Sequence, residues 1–363
     1  MRIVVVHHAL DGGGSARAAV ELANHLAGSG HAVSLPALTR TADWHYPVLD
    51  SVTVHELTRS SQLAPAWRVG LEATPRLRRV VHAFRPDVVV GIGALPNVAV
   101  LAATVGTASR IVLSERADPS VMRGRRWSWL RNAVYRRSSV DGFVVLTEAT
   151  AAIAREWMPP DRVHVIPNPA PDPDTQRPPG GRGEPIVLAM GRLVPQKGFD
   201  VLLDAWAQIA GSFPDWRLRI VGDGADRADL EARAVRLGVA PSIDMPGFDP
   251  KPFDAMAGAE VFVLSSRYEG FGQVLLQAMA CAVPVVATDC PSGPAEILRG
   301  GSDGTLVPVE DRRALAEAMS RLMSDPALRD EMGRRALERS KDFRPDRVWA
   351  MWDAVLAHVV ARR

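Results

Sequence analysis

Cysteine and lysine are scarce in this 363-residue chain, and long apolar runs are missing. The two cysteines, Cys281 and Cys290, cannot build a disulfide framework, and no His or Cys beside them completes a metal set. They read as core thiols of a reducing compartment. Only three of the 43 basic residues are lysines, Lys197, Lys251 and Lys341, so a lysine near a motif is less easily dismissed as background. No apolar stretch approaches the ~18 residues of a membrane span. The opening MRIVVVHHALDGGG breaks its valine run at two histidines and lacks a signal peptide's apolar core and small-residue cleavage site. It reads as a first strand, and the expected location is cytoplasmic. Nothing resembles a basic stripe interleaved with stacking aromatics. The net charge of +2 divides mildly, 20 basic against 15 acidic residues over 1–180 and 23 against 26 over 181–363. That balance argues against a nucleic-acid partner.

What is present is a βα rhythm that runs twice. The length suits about two domains, and the 47% hydrophobic content with near-zero mean hydropathy marks a globular protein. Valine-rich runs recur at residues 3–6, 32–35, 52–57, 87–91, 110–114, 142–146 and 163–166, with helical patterns such as 15–27 and 76–84 between them. Continuous apolar runs, rather than alternation, fit strands covered on both faces of a parallel sheet. The segment IPNPAPDPDTQRPPGGRGEP is too rich in proline and glycine for a helix or strand interior and reads as a linker. The rhythm then restarts at residue 186 and ends in three helical patterns from residue 312. The expected architecture is α/β, with two Rossmann-like, doubly wound parallel-sheet domains facing a central cleft. Expected boundaries are an acceptor-binding domain over 1–168, a linker over 169–184, a donor-binding domain over 185–343, and a final helix over 344–363 that crosses back to the first domain.

Several groups can carry chemistry. Gly13 and Gly14 belong to a glycine turn after the first strand, where backbone can approach a ligand and a helix dipole follows. A tight βα turn needs glycine anyway, and the spacing is not the dinucleotide pattern. Arg192 and Lys197 bracket the turn after the second domain's first strand, within reach of a diphosphate. Glu269 sits at an elbow between a strand and Gly270-Phe271-Gly272, facing a helix start; the plainer reading is an exposed acid paired with Arg267. Gln277 lies eight residues on, close to a whole number of turns. Gly247 and Phe248 are candidates for holding a base through backbone groups. On the first domain's side the candidates are His8, Arg116 and Asp118, the latter two in the loop SERADP. The segment from Arg123 to Arg137 mixes six arginines with Trp127, Trp129 and Tyr135. It reads either as a surface helix whose aromatics face its own core or as a contact for an anionic membrane at the inner face. Asp172-Pro173-Asp174 has a cation-holding form but lies in the linker with no strand to fix it, so no metal is assigned.

In this order, GGSARAAVELANHLAGSGHAV, SERADP, GRLVPQKGFDVLLDAW, VGDG, SSRYEGFG and DCPSGPAEI resemble the blocks of glycosyltransferase family 4, the retaining enzymes of GT-B fold, and most closely its polysaccharide and lipid-linked-oligosaccharide members. The resemblance implies that Arg192 and Lys197 neutralise the donor diphosphate and that Glu269 binds hydroxyls of the donor sugar. It implies that Gly270, Phe271 and Gly272 hold sugar and phosphate, and that Glu296 lies at a helix start near the phosphates. The family's second glutamate, which binds ribose hydroxyls, is Gln277 here, and Ala117 replaces the family's asparagine. No cofactor or metal is expected beyond the nucleotide-sugar co-substrate. The implied activity is transfer of a hexose or N-acetylhexosamine, from a UDP-linked donor, to a glycan or lipid-linked acceptor. Rival readings are decoration of a small natural product, a sugar-nucleotide epimerase of similar fold, and a non-catalytic sugar-nucleotide-binding protein.

Overall fold

The computed structural model describes residues 1–10, 13–40, 46–60, 64–116, 134–135, 140–170, 173, 176–178, 185–249 and 251–362. Asp118, most of the Arg123–Arg137 segment and the Asp172/Asp174 pair lie outside these residues. The chain divides into two compact units, Met1–Asn168 with Asp346–Arg363, and Pro169–Pro345. No helix among the described residues is long and apolar enough to cross a membrane.

The first unit is built on a seven-stranded parallel sheet, β1 (Arg2–Val6), β2 (Ala32–Ala37), β3 (Val52–Glu56), β4 (Val88–Ile92), β5 (Arg110–Ser114), β6 (Gly142–Val145) and β7 (Val163–Val165), in the order β3-β2-β1-β4-β5-β6-β7. β1 pairs with β4 in the register Ile3↔Val88 to Val6↔Gly91. Every residue of β4 and β6 is buried, as expected when helices cover both faces. The helix Glu148–Arg155 starts at Thr147, whose side chain accepts from the Thr150 amide and so satisfies one free donor of the first turn. The helix expected at 76–84 runs from Ala66 to Phe84 with Pro75 inside it. Pro75 has no N–H for the Leu71 carbonyl, but both residues face solvent, where water replaces the missing bond.

The last helix, Pro345–Ala361, packs into this first unit. Val348, Trp352, Val355, Leu356 and Val359 fall on one helical face and join the core of β1, β2 and β4. Gly142 lets it come close, since a Cβ there would sit 3.3 Å from Val359 Cγ2. On the flank, His25 stacks on Trp349 at 5.5 Å and bonds Asp353 at 3.0 Å. Of the Arg/Trp segment, Tyr135 is described and is fully buried against Phe143 and Trp157, as the core-facing reading requires.

The second unit holds a six-stranded parallel sheet, β8 (Ile186–Met190), β9 (Arg217–Val221), β10 (Ile243–Gly247), β11 (Val261–Leu264), β12 (Val285–Thr288) and β13 (Thr305–Val307), in the order β10-β9-β8-β11-β12-β13. The chain leaves β8 toward one edge, then returns to place β11 on its other side. The loops after β8 and β11 therefore diverge at the carboxyl ends of adjacent strands, the place where open α/β sheets bind ligands.

The proline-rich segment is not simply a solvated linker. Arg177 donates from Nη2 to Glu260 Oε2 at 2.7 Å and from Nη1 to Asp330 Oδ1 at 2.8 Å, and its backbone N–H bonds the Cys281 carbonyl at 2.7 Å. Proline and glycine density hid this anchor, because burial of one arginine depends on carboxylates far away in sequence.

Candidate active site

The loops after β8 and β11 bring Lys197 and Glu269 together although 72 residues separate them. Lys197 Nζ lies 2.6 Å from Glu269 Oε1, and Ser266 Oγ donates to the same oxygen at 2.6 Å. Glu269 is 7% exposed. Its other oxygen, Oε2, accepts no hydrogen bond from the described residues, so one acceptor stays open for a ligand hydroxyl. The reading of Glu269 as an exposed partner of Arg267 is corrected. Arg267 instead grips Asp200 with both Nη atoms at 2.8 Å and bonds Glu310 through Nε, and these carboxylates raise its pKa further above the usual guanidinium range.

The two loops are stitched backbone to side chain. Arg267 N–H donates to Gln196 O at 2.8 Å and its Nη1 to Pro195 O at 2.6 Å. Gln196 Nε2 donates to Tyr268 O at 2.9 Å, and Ser265 Oγ to Lys197 O at 2.8 Å. Gly198 sits at φ 62, and a Cβ there would lie 2.1 Å from Ser265 O, so only glycine lets the loops approach this closely. Sequence reading passed over Arg267 as a functional neighbour. Asp200, in the first turn of the helix Phe199–Ile209, was the one available signal.

Beyond Glu269 the backbone amides of Gly270, Phe271 and Gly272 donate to no group among the described residues, and Gly272 caps the helix Gln273–Ala280. Three unpaired N–H groups at a helix start form a seat for oxyanions. The loop after β12 packs against Glu269 and the Phe271 carbonyl. Glu269 N–H bonds Pro291 O at 2.8 Å, and Gly293 at φ 115 would place a Cβ 2.0 Å from Phe271 O. Phe271 itself is buried edge-on against Phe343.

The other expected residues are placed as follows. Arg192 follows β8 directly and is exposed, and its side chain has no hydrogen bond or ion pair among the described residues. Gln277 is half-buried on the helix that the three amides precede, and Glu296 is half-buried on the short helix Pro294–Ile297. Gly247 ends β10 and Phe248 is exposed beyond it. A separate cavity of about 300 Å³, lined in part by Ser302, Thr305, Arg321 and Arg335, lies at the amino end of β13, the opposite edge of the sheet from these groups.

In the first unit the loop after β1 holds His7 and His8, with Gly13 and Gly14 exposed at the start of the helix Gly14–Gly28. His7 is buried, and burial pushes its pKa down to about 4 although Nδ1 bonds Ala9 O at 2.6 Å. Arg116 donates from Nη1 to Asn168 Oδ1 at 2.6 Å, while its buried Nε has no partner. Burial lowers its pKa to about 10. His7 therefore opposes folding in acid. The unfolded chain takes up a proton below about pH 6.5, and the native imidazole does so only near pH 4, so stability falls as pH drops through that window. The expected His7 share is up to about 3 kcal/mol. Thermal melts of the protein and of His7→Asn between pH 7 and 4.5 measure it, and the variant's melting temperature should decline less.

Residues 13–169 match the family described as Glycosyl transferase 4-like domain, and residues 173–339 the family described as Glycosyl transferases group 1. The chain belongs to the GT-B glycosyltransferases of family 4 type. It is 32% identical over 339 residues to an exopolysaccharide phosphotransferase of Streptomyces coelicolor, a match that covers 89% of this chain and 35% of that protein. The chain thus spans about a third of that relative, and about half of others of similar identity. It is 26% identical over 363 residues, 99% of both chains, to a Campylobacter jejuni enzyme named as an α-1,4-N-acetyl-D-galactosaminyltransferase acting on a GalNAc-containing diphospho-undecaprenol glycan. Among solved structures, Anabaena HepE in complex with UDP and glucose superposes with a TM-score of 0.79 at 19% identity, over 99% of each chain. At that identity the likeness is one of fold, the GT-B arrangement of two parallel-sheet α/β domains.

Proposed function

We propose that this GT-B family member is a retaining glycosyltransferase. It moves a hexose or N-acetylhexosamine from a UDP-linked donor to a hydroxyl of a growing polysaccharide or lipid-linked glycan. The observation that carries the reading is the Lys197–Glu269 pair beside three unpaired amides at one switch point. A nucleotide sugar offers hydroxyls at one end and a diphosphate at the other, and this surface offers an open carboxylate oxygen next to N–H groups and an ammonium. The names of the Campylobacter relative and of the HepE complex support the choices of acceptor class and of UDP.

The chemistry follows from where charge develops. As the bond between the anomeric carbon and phosphate oxygen breaks, negative charge gathers on the departing diphosphate. Lys197 and Arg192 stabilise that charge, and the amides of Gly270, Phe271 and Gly272 add fixed dipoles that need no reorganisation. Glu269 orients the sugar through its hydroxyls. The acceptor oxygen bonds the same face of the anomeric carbon, and its proton passes to the leaving phosphate oxygen. Gln277 accepts from one ribose hydroxyl without a carboxylate's charge, weakening donor binding by about 1 kcal/mol. His8, Arg116 and Asp118 are assigned to binding the acceptor.

A thermal-shift panel of nucleoside diphosphates and their sugars is the direct test, since a ligand at 100 times its Kd stabilises the fold by about 2.7 kcal/mol. UDP and one UDP-sugar should raise Tm and others should not. Transfer to a lipid-diphosphate glycan should then survive EDTA, because side-chain cations carry the leaving charge. A panel with no shift, or transfer abolished by EDTA and restored by a divalent cation, would contradict the reading.

A further inference from the structure

The Arg267 guanidinium ties together three loops that leave the carboxyl edge of one sheet. Nη1 and Nη2 each hold an oxygen of Asp200 at 2.8 Å, Nη1 also donates to Pro195 O at 2.6 Å, and Nε donates to Glu310 Oε1. Pro195 and Asp200 follow β8, Arg267 follows β11, and Glu310 lies between β13 and the helix Arg312–Ser324. A single partly exposed ion pair contributes little, but a two-pronged grip with a backbone acceptor fixes orientation as well as distance. Glu310 shows the same constraint from its own side. Its φ is 65, a region that a residue other than glycine keeps only where its surroundings hold it there, and such residues gather at functional sites.

The clamp also settles which cation Glu269 receives. Arg267 is two residues from Glu269 in the chain, and a free guanidinium there would compete with Lys197 for the carboxylate. Asp200 and Glu310 occupy Arg267 instead, and Lys197 Nζ stays 2.6 Å from Glu269 Oε1. Without Arg267 the loops after β8 and β11 still share the Ser265–Lys197 and Gln196–Tyr268 bonds. They remain joined, but the fork that sets their angle is gone.

We propose that Arg267 is a positioning residue: its clamp on Asp200 and Glu310 holds the loops after β8 and β11 so that Lys197 and Glu269 are paired before a donor arrives. Groups set in place beforehand need no rearrangement as the reaction proceeds, and a misplacement of about 1 Å costs on the order of 10²-fold in rate. Arg267 acts through Lys197 and Glu269 rather than on a ligand. Its effect on transfer rests on the function proposed above, which gives that pair to the donor. Its effect on the pair itself does not.

A chain with only three lysines allows a direct test. Lys197 is nearly buried in its ion pair, whereas Lys251 and Lys341 are exposed. The rate at which N-hydroxysuccinimidyl acetate acetylates Lys197 relative to Lys341, read by peptide mass spectrometry on the full chain, therefore reports how firmly the pair is held. Arg267→Met should raise that ratio about tenfold, and so should Asp200→Asn/Glu310→Gln, which keeps the guanidinium but frees it. Glu260→Ala, at the amino end of β11 and the opposite edge of the sheet, should lose stability yet label Lys197 at the wild-type rate. That contrast separates positioning from general loosening. In the transfer assay Arg267→Met should lower kcat/KM about 10²-fold. Wild-type labelling in Arg267→Met, or an equal rise in Glu260→Ala, overturns the proposal. Faster labelling with undiminished transfer overturns it too, together with the assignment of the pair to the donor. A wild type that transfers no sugar, with the labelling as expected, refutes the proposed function and leaves the clamp standing.

Discussion

Glu269→Gln is expected to lower kcat/KM for glycosyl transfer about 10²–10³-fold, with a drop in Tm smaller than that of Lys197→Ala, because the buried ammonium loses its counter-charge but keeps its hydrogen bond. The amide is close to the carboxylate in shape, and its oxygen still accepts from Lys197 Nζ and Ser266 Oγ, which lie 2.6 Å from Oε1. What it loses is the charge and one free acceptor for a sugar hydroxyl. Lys197→Ala should lower transfer at least as far, with a larger cost in stability. It leaves a nearly buried carboxylate without its counter-charge, so Tm should fall further. The two variants together separate chemistry from stability: steady-state kinetics reads the first and thermal unfolding the second. Full activity in Glu269→Gln would remove Glu269 from the site. The double variant should lose less than the sum of the two, since each single change already breaks the shared pair.

Glu260→Ala is expected to produce the largest loss of stability, about 3–5 kcal/mol, read as a Tm drop on the order of 10 °C. Glu260 Oε2 accepts from Arg177 Nη2 at 2.7 Å and from Arg329 Nε at 3.1 Å, and all three side chains are almost wholly buried. Arg329 retains the Leu322 and Met323 carbonyls and the face of Trp216. Arg177 retains only Asp330 and its own backbone bond. Taking out the carboxylate leaves two guanidinium groups in apolar surroundings, and the cost is their desolvation rather than the lost bond. Glu260→Ala/Arg177→Met should therefore recover part of the loss, because one stranded charge goes with it. If the double variant is less stable than the single one, desolvation is not the cause.

Much of the fold was legible from local pattern, because a strand covered on both faces must be apolar throughout and a helix must show a periodic stripe. The runs around Val4, Val89, Val144, Val187 and Val263 became central strands, and Val348, Trp352, Val355 and Val359 marked the face of the last helix. The helix that shows a pattern only over 76–84 extends back through Pro75, whose effect depends on which way it faces. In the core it would strand a carbonyl, and on this exposed face it does not.

For the candidate site, the residue types were readable and the partnerships were not. The chain by itself determined that a lysine and an arginine follow one strand, and that a glutamate and a glycine-flanked helix start follow another. Those assignments rest on local chemistry, carried by residues within a few positions of each other. Only the tertiary structure decided that Glu269 turns to Lys197 while Arg267 takes Asp200 and Glu310, and that Arg177 of the proline-rich segment is buried. Each of those outcomes depends on distances between groups tens of residues apart, which strand order and loop crossing set and local pattern does not encode.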